Sequence, residues 1–353
     1  MKFFISFSLF LFIICSVSAR EKIKFYKADH VKIHYMGRID FSEKLKPTMW
    51  ASATQVSFSF KGSSCKLIIS DEELYGKYHN YVDIIVDGKY TRLKLKSKKD
   101  TLLIATGLKY SDHSVLISKS TEAGIGYIRF EGVFCNKLIH TASFPSRKIE
   151  SYGDSITSGM GSDTSQAACH KADWYDQTNG YMSYAAITGR ELNAQYSLVS
   201  ASGIGLIHSC CNMDILMPQV YDKISISENK IPWNFSVYQP DVVTVCLGQN
   251  DGVQDSAAFC SAYIKFIKTL RQHYPTTSIV CLSSPMADAA LLAATKKYFN
   301  GVLGALHSAG DKNIYDFYFS GQSVAGCDSH PSLQEHTLVA GELTAFIKKI
   351  KNW

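Results

Sequence analysis

The spacing of hydrophobic and polar positions changes near the middle of the chain. From about residue 20 to about residue 140 these positions alternate over short segments, with turn dipeptides such as Lys61-Gly62 and Asp87-Gly88 between them. A period of two is typical of strands with one buried face, and no segment of helical period and useful length interrupts it. The first part of the chain therefore predicts a β-sandwich.

The second part alternates predicted strands with predicted helices. A short connector at 141–146 leads to a first strand at 148–152. Helical periodicity recurs in four segments, near 181–192, 257–273, 287–307 and 333–350. Alternation of this kind indicates right-handed βαβ units around a parallel sheet. The two halves thus belong to different fold classes, and we expect a β-sandwich domain at 20–146 and an α/β domain at 147–353.

The first residues have the composition of a secretory signal peptide. Lys2 precedes an apolar run from Phe3 to Cys15, and Val17-Ser18-Ala19 supplies the small residues of a cleavage site. We therefore expect residues 1–19 to be removed and the mature protein to be secreted. No later segment is apolar enough to predict a membrane span. The remaining chain has a length typical of two domains.

Charge and composition exclude several function classes. The net charge of +6 is modest and spread along the chain. Its densest run, at 94–99, alternates with other residues as a strand does, which favours a solvated face over a polyanion site. Nothing in the sequence resembles a nucleic-acid-binding module, and no Cys and His spacing suits a metal. We expect no cofactor and no metal.

The cysteines are compatible with export. Ten are present, and loss of Cys15 with the signal peptide leaves an odd number, so at least one thiol is free or pairs between chains. Two bridges are predicted, Cys65 with Cys135 and Cys169 with either Cys210 or Cys211. Cys246 and Cys281 lie in predicted central strands, where a buried cysteine acts as a small hydrophobe.

The candidate chemistry lies where predicted strands end. Ser155, in Gly-Asp-Ser-Ile at 153–156, follows the first strand of the second part. A serine hydroxyl is a weak nucleophile unless a base takes its proton and fixed donors stabilise the oxyanion. We expect the Ser155 backbone N–H to donate to that oxygen. Gly203 offers a second N–H with no side chain beside it, and Asn250 offers a side-chain amide.

His330 is the candidate base, because it follows the last predicted strand and precedes the terminal helix. Each residue also has an ordinary structural interpretation. Gly-Asp-Ser and Asn-Asp-Gly are common turns, and a histidine in that place can cap a helix. The order of the four residues favours catalysis, since each lies at the end of its own strand, where open α/β sheets bind ligands. Asp154 is expected to fix the turn through hydrogen bonds to backbone N–H groups.

The order Ser155, Gly203, Asn250, His330 resembles the four blocks of the SGNH hydrolases, the GDSL-type esterase superfamily. The N-terminal part narrows the resemblance to the family 2 carbohydrate esterases, in which a small β-sandwich precedes the esterase domain. The similar segments are 30–42, 58–64, 81–88, 181–186 and 190–193. The resemblance covers nearly the whole mature chain. It implies a jelly-roll-like β-sandwich followed by a three-layer α/β/α SGNH domain.

Three positions determine what the resemblance implies for the site. Most SGNH enzymes have an aspartate three residues before the histidine, but Cys327 stands there. Asp328, two residues before His330, has the spacing of family 2 esterases, in which a main-chain carbonyl is an alternative partner of the histidine. Asp328 is thus either a third catalytic residue or a turn aspartate that faces water. Gln249 replaces a more usual small residue, and we expect it to narrow the pocket or to contact the leaving group.

By resemblance, the substrate is an acetylated sugar or polysaccharide and the product is acetate. Trp174, in the insertion after the nucleophile, is a candidate for stacking on a sugar ring, and packing of its own loop is the alternative. Two other functions remain open: a GDSL-type lipase or small-ester esterase, and a catalytically idle carbohydrate-binding protein. The chain has no long apolar lid segment, and binding alone needs neither Ser155 nor His330. An acetylated carbohydrate is therefore the expected partner.

Overall fold

The computed structural model describes residues 22–353, so the predicted signal peptide at 1–19 lies outside the described residues. Within this range the chain forms an antiparallel sheet first and a parallel sheet with helices second. The predicted succession of two fold classes is thereby confirmed. No helix formed by residues 22–353 is long and apolar enough to cross a membrane.

The antiparallel sheet has ten strands in the described part of the chain. They are β1 (Lys24–Lys27), β2 (His34–Met36), β3 (Ile39–Asp40), β4 (Thr48–Met49), β5 (Gln55–Asp71), β6 (Tyr81–Val86), β7 (Lys89–Lys94), β8 (Lys99–Ala105), β9 (Ser111–Lys119) and β10 (Ile128–Ile139). The long β5 pairs with β2, β8, β9 and β10. Its alternate side chains Phe58 and Phe60 are fully buried with Phe130 of β10 in one core. This inward alternation is what the period of two predicts.

One of the two predicted turns forms and the other does not. Asp87 and Gly88 adopt left-handed φ values of 50° and 80° and join β6 to β7 in a two-residue hairpin. The turn at Lys61-Gly62 was a wrong prediction, because both residues lie inside β5. A side chain at Gly62 would collide with Asn136, next to a register shift in β10. The glycine marks a close approach of two strands, not a turn.

The parallel sheet follows the order β12-β11-β15-β16-β17. The remaining strands are β11 (Arg147–Gly153), β12 (Ala194–Ser200), β13 (Lys223–Ser225), β14 (Lys230–Pro232), β15 (Val242–Cys246), β16 (Ser278–Leu282) and β17 (Ile314–Phe317), of which β13 and β14 form a separate antiparallel ribbon. The helices are α1 (Ser155–Ser158), α2 (Tyr184–Glu191), α3 (Met217–Val220), α4 (Ser256–His273), α5 (Ala289–Ser308) and α6 (Leu333–Lys351). The four predicted helical segments correspond to α2, α4, α5 and α6.

Helices cover both faces of the parallel sheet. Along β15, Val243 and Val245 pack in one core with residues of α4 and α5. Val242 and Cys246 pack in a second core with residues of α2 and α6. Successive side chains of a strand point to opposite faces, so a strand covered on both faces is largely apolar, and the one polar side chain of β15, Thr244, donates to the hydroxyl of Ser151 at 2.9 Å. The predicted three-layer α/β/α arrangement is confirmed.

A buried ion pair joins the antiparallel sheet to the parallel sheet. Arg38 Nε donates to Glu150 Oε1 at 3.0 Å, and both side chains are inaccessible to solvent. Arg38 also donates to the hydroxyl of Tyr152 at 2.8 Å. Removing one partner of such a pair leaves a buried charge, at a cost of about 3–5 kcal/mol. The contact fixes the antiparallel sheet against strand β11 of the parallel sheet.

The predicted bridge between Cys65 and Cys135 is not formed. The two residues lie opposite each other on β5 and β10, and both are free, buried thiols. Burial raises both pKa values, that of Cys135 to about 12, so the thiols stay protonated. Cys246 and Cys281 are buried in β15 and β16, which confirms their expected place as small core side chains.

Candidate active site

The candidate nucleophile lies at the point where β11 gives way to α1. Ser155 is the first residue of this short helix and is almost completely buried. Asp154 caps the helix, and its Oδ1 accepts a hydrogen bond from the backbone N–H of Ile156 at 3.0 Å. Burial raises the pKa of Asp154 to about 7, although this hydrogen bond acts in the opposite direction. The geometry agrees with the expectation that Asp154 fixes the turn.

Ser155 and His330 are hydrogen-bonded to each other. The Ser155 Oγ atom lies 2.8 Å from His330 Nε2, and His330 Nδ1 lies 3.0 Å from the main-chain oxygen of Asp328. A carbonyl oxygen can only accept, so Nδ1 carries the proton and Nε2 accepts the Ser155 hydroxyl. Burial lowers the pKa of His330, which keeps the imidazole neutral near pH 7. The pair therefore has the arrangement that proton transfer from Ser155 requires.

Asp328 reaches the histidine through its main chain and not through its carboxylate. The carboxylate is 46% exposed and lies 3.7 Å from Nδ1 of His170. Asp328 and Ser329 both adopt left-handed φ values, of 51° and 56°. This turn directs the Asp328 carbonyl to the ring, so the geometry favours the second of the two alternatives for Asp328, a turn aspartate that faces water. An exposed aspartate side chain tolerates this backbone conformation well.

Gly203 and Asn250 lie with Ser155 and His330 around one cavity of about 440 Å³. Gly203 follows β12 and has a left-handed φ of 86°. Asn250 follows β15, and its Nδ2 donates to the carbonyl of Ile204 at 2.9 Å. The second contact of Nδ2, with Oδ2 of Asp154, is 3.4 Å long. A hydrogen bond of that length is weak, so this hydrogen remains available to an oxyanion in the cavity.

A carboxylate that the sequence analysis did not select ties the two donor loops together. Asp251 accepts hydrogen bonds from the backbone N–H groups of Leu206, Ile207 and His208, at 2.7–3.1 Å. It is almost fully buried. The loop after β12, which carries Gly203, is thus held to the loop after β15. The signal was present in the Asn-Asp-Gly segment, where only the asparagine was given a function.

The loop that carries His330 is anchored by a disulfide that was not predicted. Cys169 pairs with Cys327 and not with Cys210 or Cys211. The N–H of Cys327 also donates to the carbonyl of Gly161 at 2.8 Å. A Cβ at Gly161 would lie 2.5 Å from the Cys327 oxygen and 3.0 Å from Cβ of His330. The histidine loop is therefore packed closely on the segment that follows the nucleophile.

Cys210 and Cys211 form a disulfide with each other, and both line the cavity. The predicted pairing of either with Cys169 is thus wrong. Cys211 and Asn212 adopt left-handed φ values of 62° and 60°. Two adjacent cysteines were the only sequence signal, and adjacency alone does not distinguish a mutual bridge from two separate ones. No group of three or more metal-binding side chains occurs in residues 22–353.

The two predicted substrate-binding residues have different positions. Trp174 lines the cavity and is 39% exposed, at the start of a 3-10 turn formed by Trp174–Gln177. Gln249 is not among the described residues that line the cavity, and its Oε1 accepts from Oγ of Ser284 at 2.6 Å. The structure thus brings Trp174 to the candidate dyad and holds the amide of Gln249 against a neighbouring loop. The cavity is also lined by Met160 and Ser202, which sequence reasoning missed.

The chain matches two protein families along its length. Residues 35–145 match the family described as Carbohydrate esterase 2 N-terminal. Residues 151–334 match the GDSL-like Lipase/Acylhydrolase family. The two matches follow each other in the order of the two sheets, and the second includes Ser155, Gly203, Asn250 and His330.

Individual relatives cover both regions. The chain is 32% identical to the cellulase/esterase CelE of Acetivibrio thermocellus over 336 residues, which are 92% of this chain and 40% of CelE. It is 27% identical to an acetylxylan esterase / glucomannan deacetylase of Cellvibrio japonicus, over 84% of this chain and 86% of that protein. The solved structure of a family two carbohydrate esterase from Clostridium thermocellum, in complex with cellohexaose, is 32% identical. It superposes with a TM-score of 0.83 and covers 91% of this chain and 99% of that one.

Proposed function

The chain belongs to the GDSL-like lipase/acylhydrolase family and, within it, to the family 2 carbohydrate esterases, and from this premise we propose that it removes O-acetyl groups from a polysaccharide. It is a carboxylic ester hydrolase. The observation that carries the proposal is the 2.8 Å contact between Ser155 Oγ and His330 Nε2. A relative named acetylxylan esterase / glucomannan deacetylase supports acetylated xylan or glucomannan as the substrate.

In the first half of the reaction, Ser155 Oγ attacks the ester carbonyl carbon and His330 Nε2 takes its proton. The carbonyl oxygen becomes an oxyanion, to which the backbone N–H groups of Ser155 and Gly203 and the amide of Asn250 donate. Fixed donors of this kind stabilise the transition state more than the substrate, because they need no reorganisation during the reaction. The tetrahedral intermediate then expels the sugar oxygen, which takes the proton from His330.

In the second half, a water molecule hydrolyses the acetyl-enzyme. His330 takes a proton from this water as it attacks the acetyl carbon, and the same donors stabilise the second oxyanion. The proton returns to Ser155 Oγ when the acyl bond breaks, and acetate leaves. The main-chain carbonyl of Asp328 stabilises the imidazolium in both halves, since it holds the Nδ1 proton in place.

The volume and the lining of the cavity support a substrate with a small acyl group on a larger sugar. The cavity has a volume of about 440 Å³, and Ser155 lies at its wall with the Cys210–Cys211 disulfide and Trp174. The exposed indole of Trp174 offers an apolar face of the kind that stacks on a pyranose ring. We assign Trp174 to sugar binding. Gln249 does not line the cavity, and its amide oxygen accepts from Ser284, so we assign it no contact with the substrate.

A secreted location is also part of the proposal. Residues 1–19 have the charged, apolar and small-residue sections of a signal peptide. The Cys169–Cys327 bridge agrees with this location, because disulfides persist in oxidising compartments. Expression with the native N-terminus in a secreting host should release the protein into the medium. Its intact mass should show that it begins at Arg20. Retention of residues 1–19 inside the cells would contradict this part.

Acetate release tests the activity and its alternatives together. Wild-type protein should hydrolyse p-nitrophenyl acetate faster than the butyrate and octanoate esters, and should release acetate from acetylated xylan or glucomannan. The Ser155→Ala variant should lose about six orders of magnitude in turnover, which in practice is all measurable hydrolysis. Preference for octanoate would favour a lipase. Equal activity of wild type and Ser155→Ala would refute the proposal.

A further inference from the structure

A carboxylate of the antiparallel-sheet domain lies against the loop that carries Gly203. Glu122 follows β9 and directly precedes a 3-10 turn formed by Ala123–Ile125. It is 1% exposed, and its Oε2 accepts a hydrogen bond from the backbone N–H of Ser202 at 2.7 Å. Ser202 directly precedes Gly203 in the chain. A residue from outside the esterase domain thus contacts the main chain next to a proposed oxyanion donor.

This contact restrains the peptide group that presents the donor. The N–H of Gly203 belongs to the peptide unit between Ser202 and Gly203, and a peptide unit is planar. On one side of this unit, Glu122 accepts from the N–H of Ser202. On the other side, the N–H of Cys210 donates to the carbonyl of Gly203 at 2.8 Å. With both neighbours fixed, rotation of the unit is restricted, and the direction of the Gly203 N–H is set before substrate binds.

Glu122 is itself held in place from its own domain. The Nζ atom of buried Lys119 donates to the main-chain carbonyls of Thr121 and Glu122, at 2.8 and 2.9 Å. Glu122 therefore links the antiparallel-sheet domain to the loop that carries Gly203. A buried carboxylate is costly unless it accepts hydrogen bonds, and the backbone N–H of Ser202 supplies one.

We propose that Glu122 is a positioning residue for the oxyanion site, so that the antiparallel-sheet domain completes the active site of the esterase. The proposal rests on the proposed esterase function. Glu122 does not touch the reacting atoms but acts through Ser202 and Gly203. Loss of one oxyanion donor costs about 10²–10³-fold in turnover. Loss of the Glu122 contact should lower turnover by part of this 10²–10³-fold factor, while substrate binding in the ground state is maintained.

Kinetics of two substitutions test the proposal. We expect Glu122→Ala to lower kcat on p-nitrophenyl acetate by about 10–100-fold with little change in KM, since only the transition state uses the donor fully. Glu122→Gln should retain most of kcat, because its amide oxygen can still accept from the Ser202 N–H. Binding of an acetylated xylo-oligosaccharide should have the same Kd in Ser155→Ala and in the Ser155→Ala, Glu122→Ala double variant.

A second carboxylate of the same domain supplies a matched control. Oε2 of Glu72 accepts from the backbone N–H of Tyr127 at 3.1 Å, and this contact lies outside the cavity lining. Glu72→Ala should leave kcat within about twofold of wild type, and thermal unfolding should verify that all variants are folded. An unchanged kcat in Glu122→Ala, or an equal loss in Glu72→Ala, would overturn the positioning function. An inactive wild type would instead refute the esterase proposal.

Discussion

The Nδ1 atom of His330 lies 3.0 Å from the main-chain oxygen of Asp328, while the Asp328 carboxylate faces His170 on the surface. The histidine is thus oriented by a group that no substitution of a side chain removes. In a Ser-His-Asp triad, replacing the carboxylate by an amide lowers turnover about 10⁴-fold. Here the carboxylate does not contact the ring, so a different result is expected.

We expect Asp328→Asn to lower kcat/KM by less than about tenfold, measured on p-nitrophenyl acetate. Asparagine accepts the left-handed φ of 51° and keeps the main-chain carbonyl in place. Ser155→Ala serves as the inactive reference in the same assay. A loss of several thousand-fold in Asp328→Asn would show that the carboxylate takes part in catalysis.

The acid side of the pH profile should report His330. Its neutral form is the base, and burial disfavours the charged imidazolium, so its pKa falls below the ordinary value of 6.5. Activity should therefore rise with pH and reach half of its maximum below pH 6.5. The measurement is kcat/KM against pH on an aryl acetate. A midpoint above 6.5 would contradict the effect of burial on this pKa.

Asn250→Ala should lower kcat by about 10²–10³-fold with a smaller change in KM. The amide lines the cavity beside Ser155, and its 3.4 Å contact with Asp154 is weak enough to be exchanged for an oxyanion. Lys268→Ala, on the exposed surface of α4, is the control and should behave as wild type. If Asn250→Ala retained full turnover, the oxyanion would not be using this side chain.

The Gly161→Ala substitution should impair catalysis, although residue 161 is not among the residues that line the cavity. The new Cβ would lie 3.0 Å from Cβ of His330, at a φ of 70° that disfavours alanine. A displacement of the base by a fraction of an ångström should reduce kcat by about 10–100-fold. Gly304→Ala in α5 is the matched control, because apart from its own helix backbone no described atom lies within 4 Å of its Cβ position. It should leave kcat unchanged and raise stability by up to about 1 kcal/mol.

Removing the Cys169–Cys327 bridge should weaken both stability and activity. It closes a loop between residues 158 positions apart, and such cross-links contribute about 2–5 kcal/mol. The double variant Cys169→Ser, Cys327→Ser should therefore unfold at a lower temperature and lose turnover, since Cys327 lies three residues before His330. Cys260→Ser, at a free and partly exposed cysteine, should change neither. Equal melting temperatures of the double variant and wild type would exclude a stabilising bridge.

Local patterns in the sequence determined most of the fold. Alternation along β5 and helical spacing in α4 and α5 follow from which side chains are buried, and burial has a period that is visible in the chain itself. The Gly-Asp-Ser turn is equally local, because Asp154 caps the helix that begins one residue later. Strand order at the carboxyl ends then brings Ser155 and His330 to one cavity, as the sequence order of the blocks predicted.

Only the tertiary structure decided which groups complete that cavity. The partner of His330 depends on the direction in which Asp328 turns its carbonyl, and backbone direction leaves no periodic trace in the sequence. The partner of Cys169 depends on two segments 158 residues apart lying side by side. Glu122 reaches Ser202 from another domain for the same reason. Contacts between distant segments are set by packing of whole domains, whereas spacing along the chain records only what each segment buries.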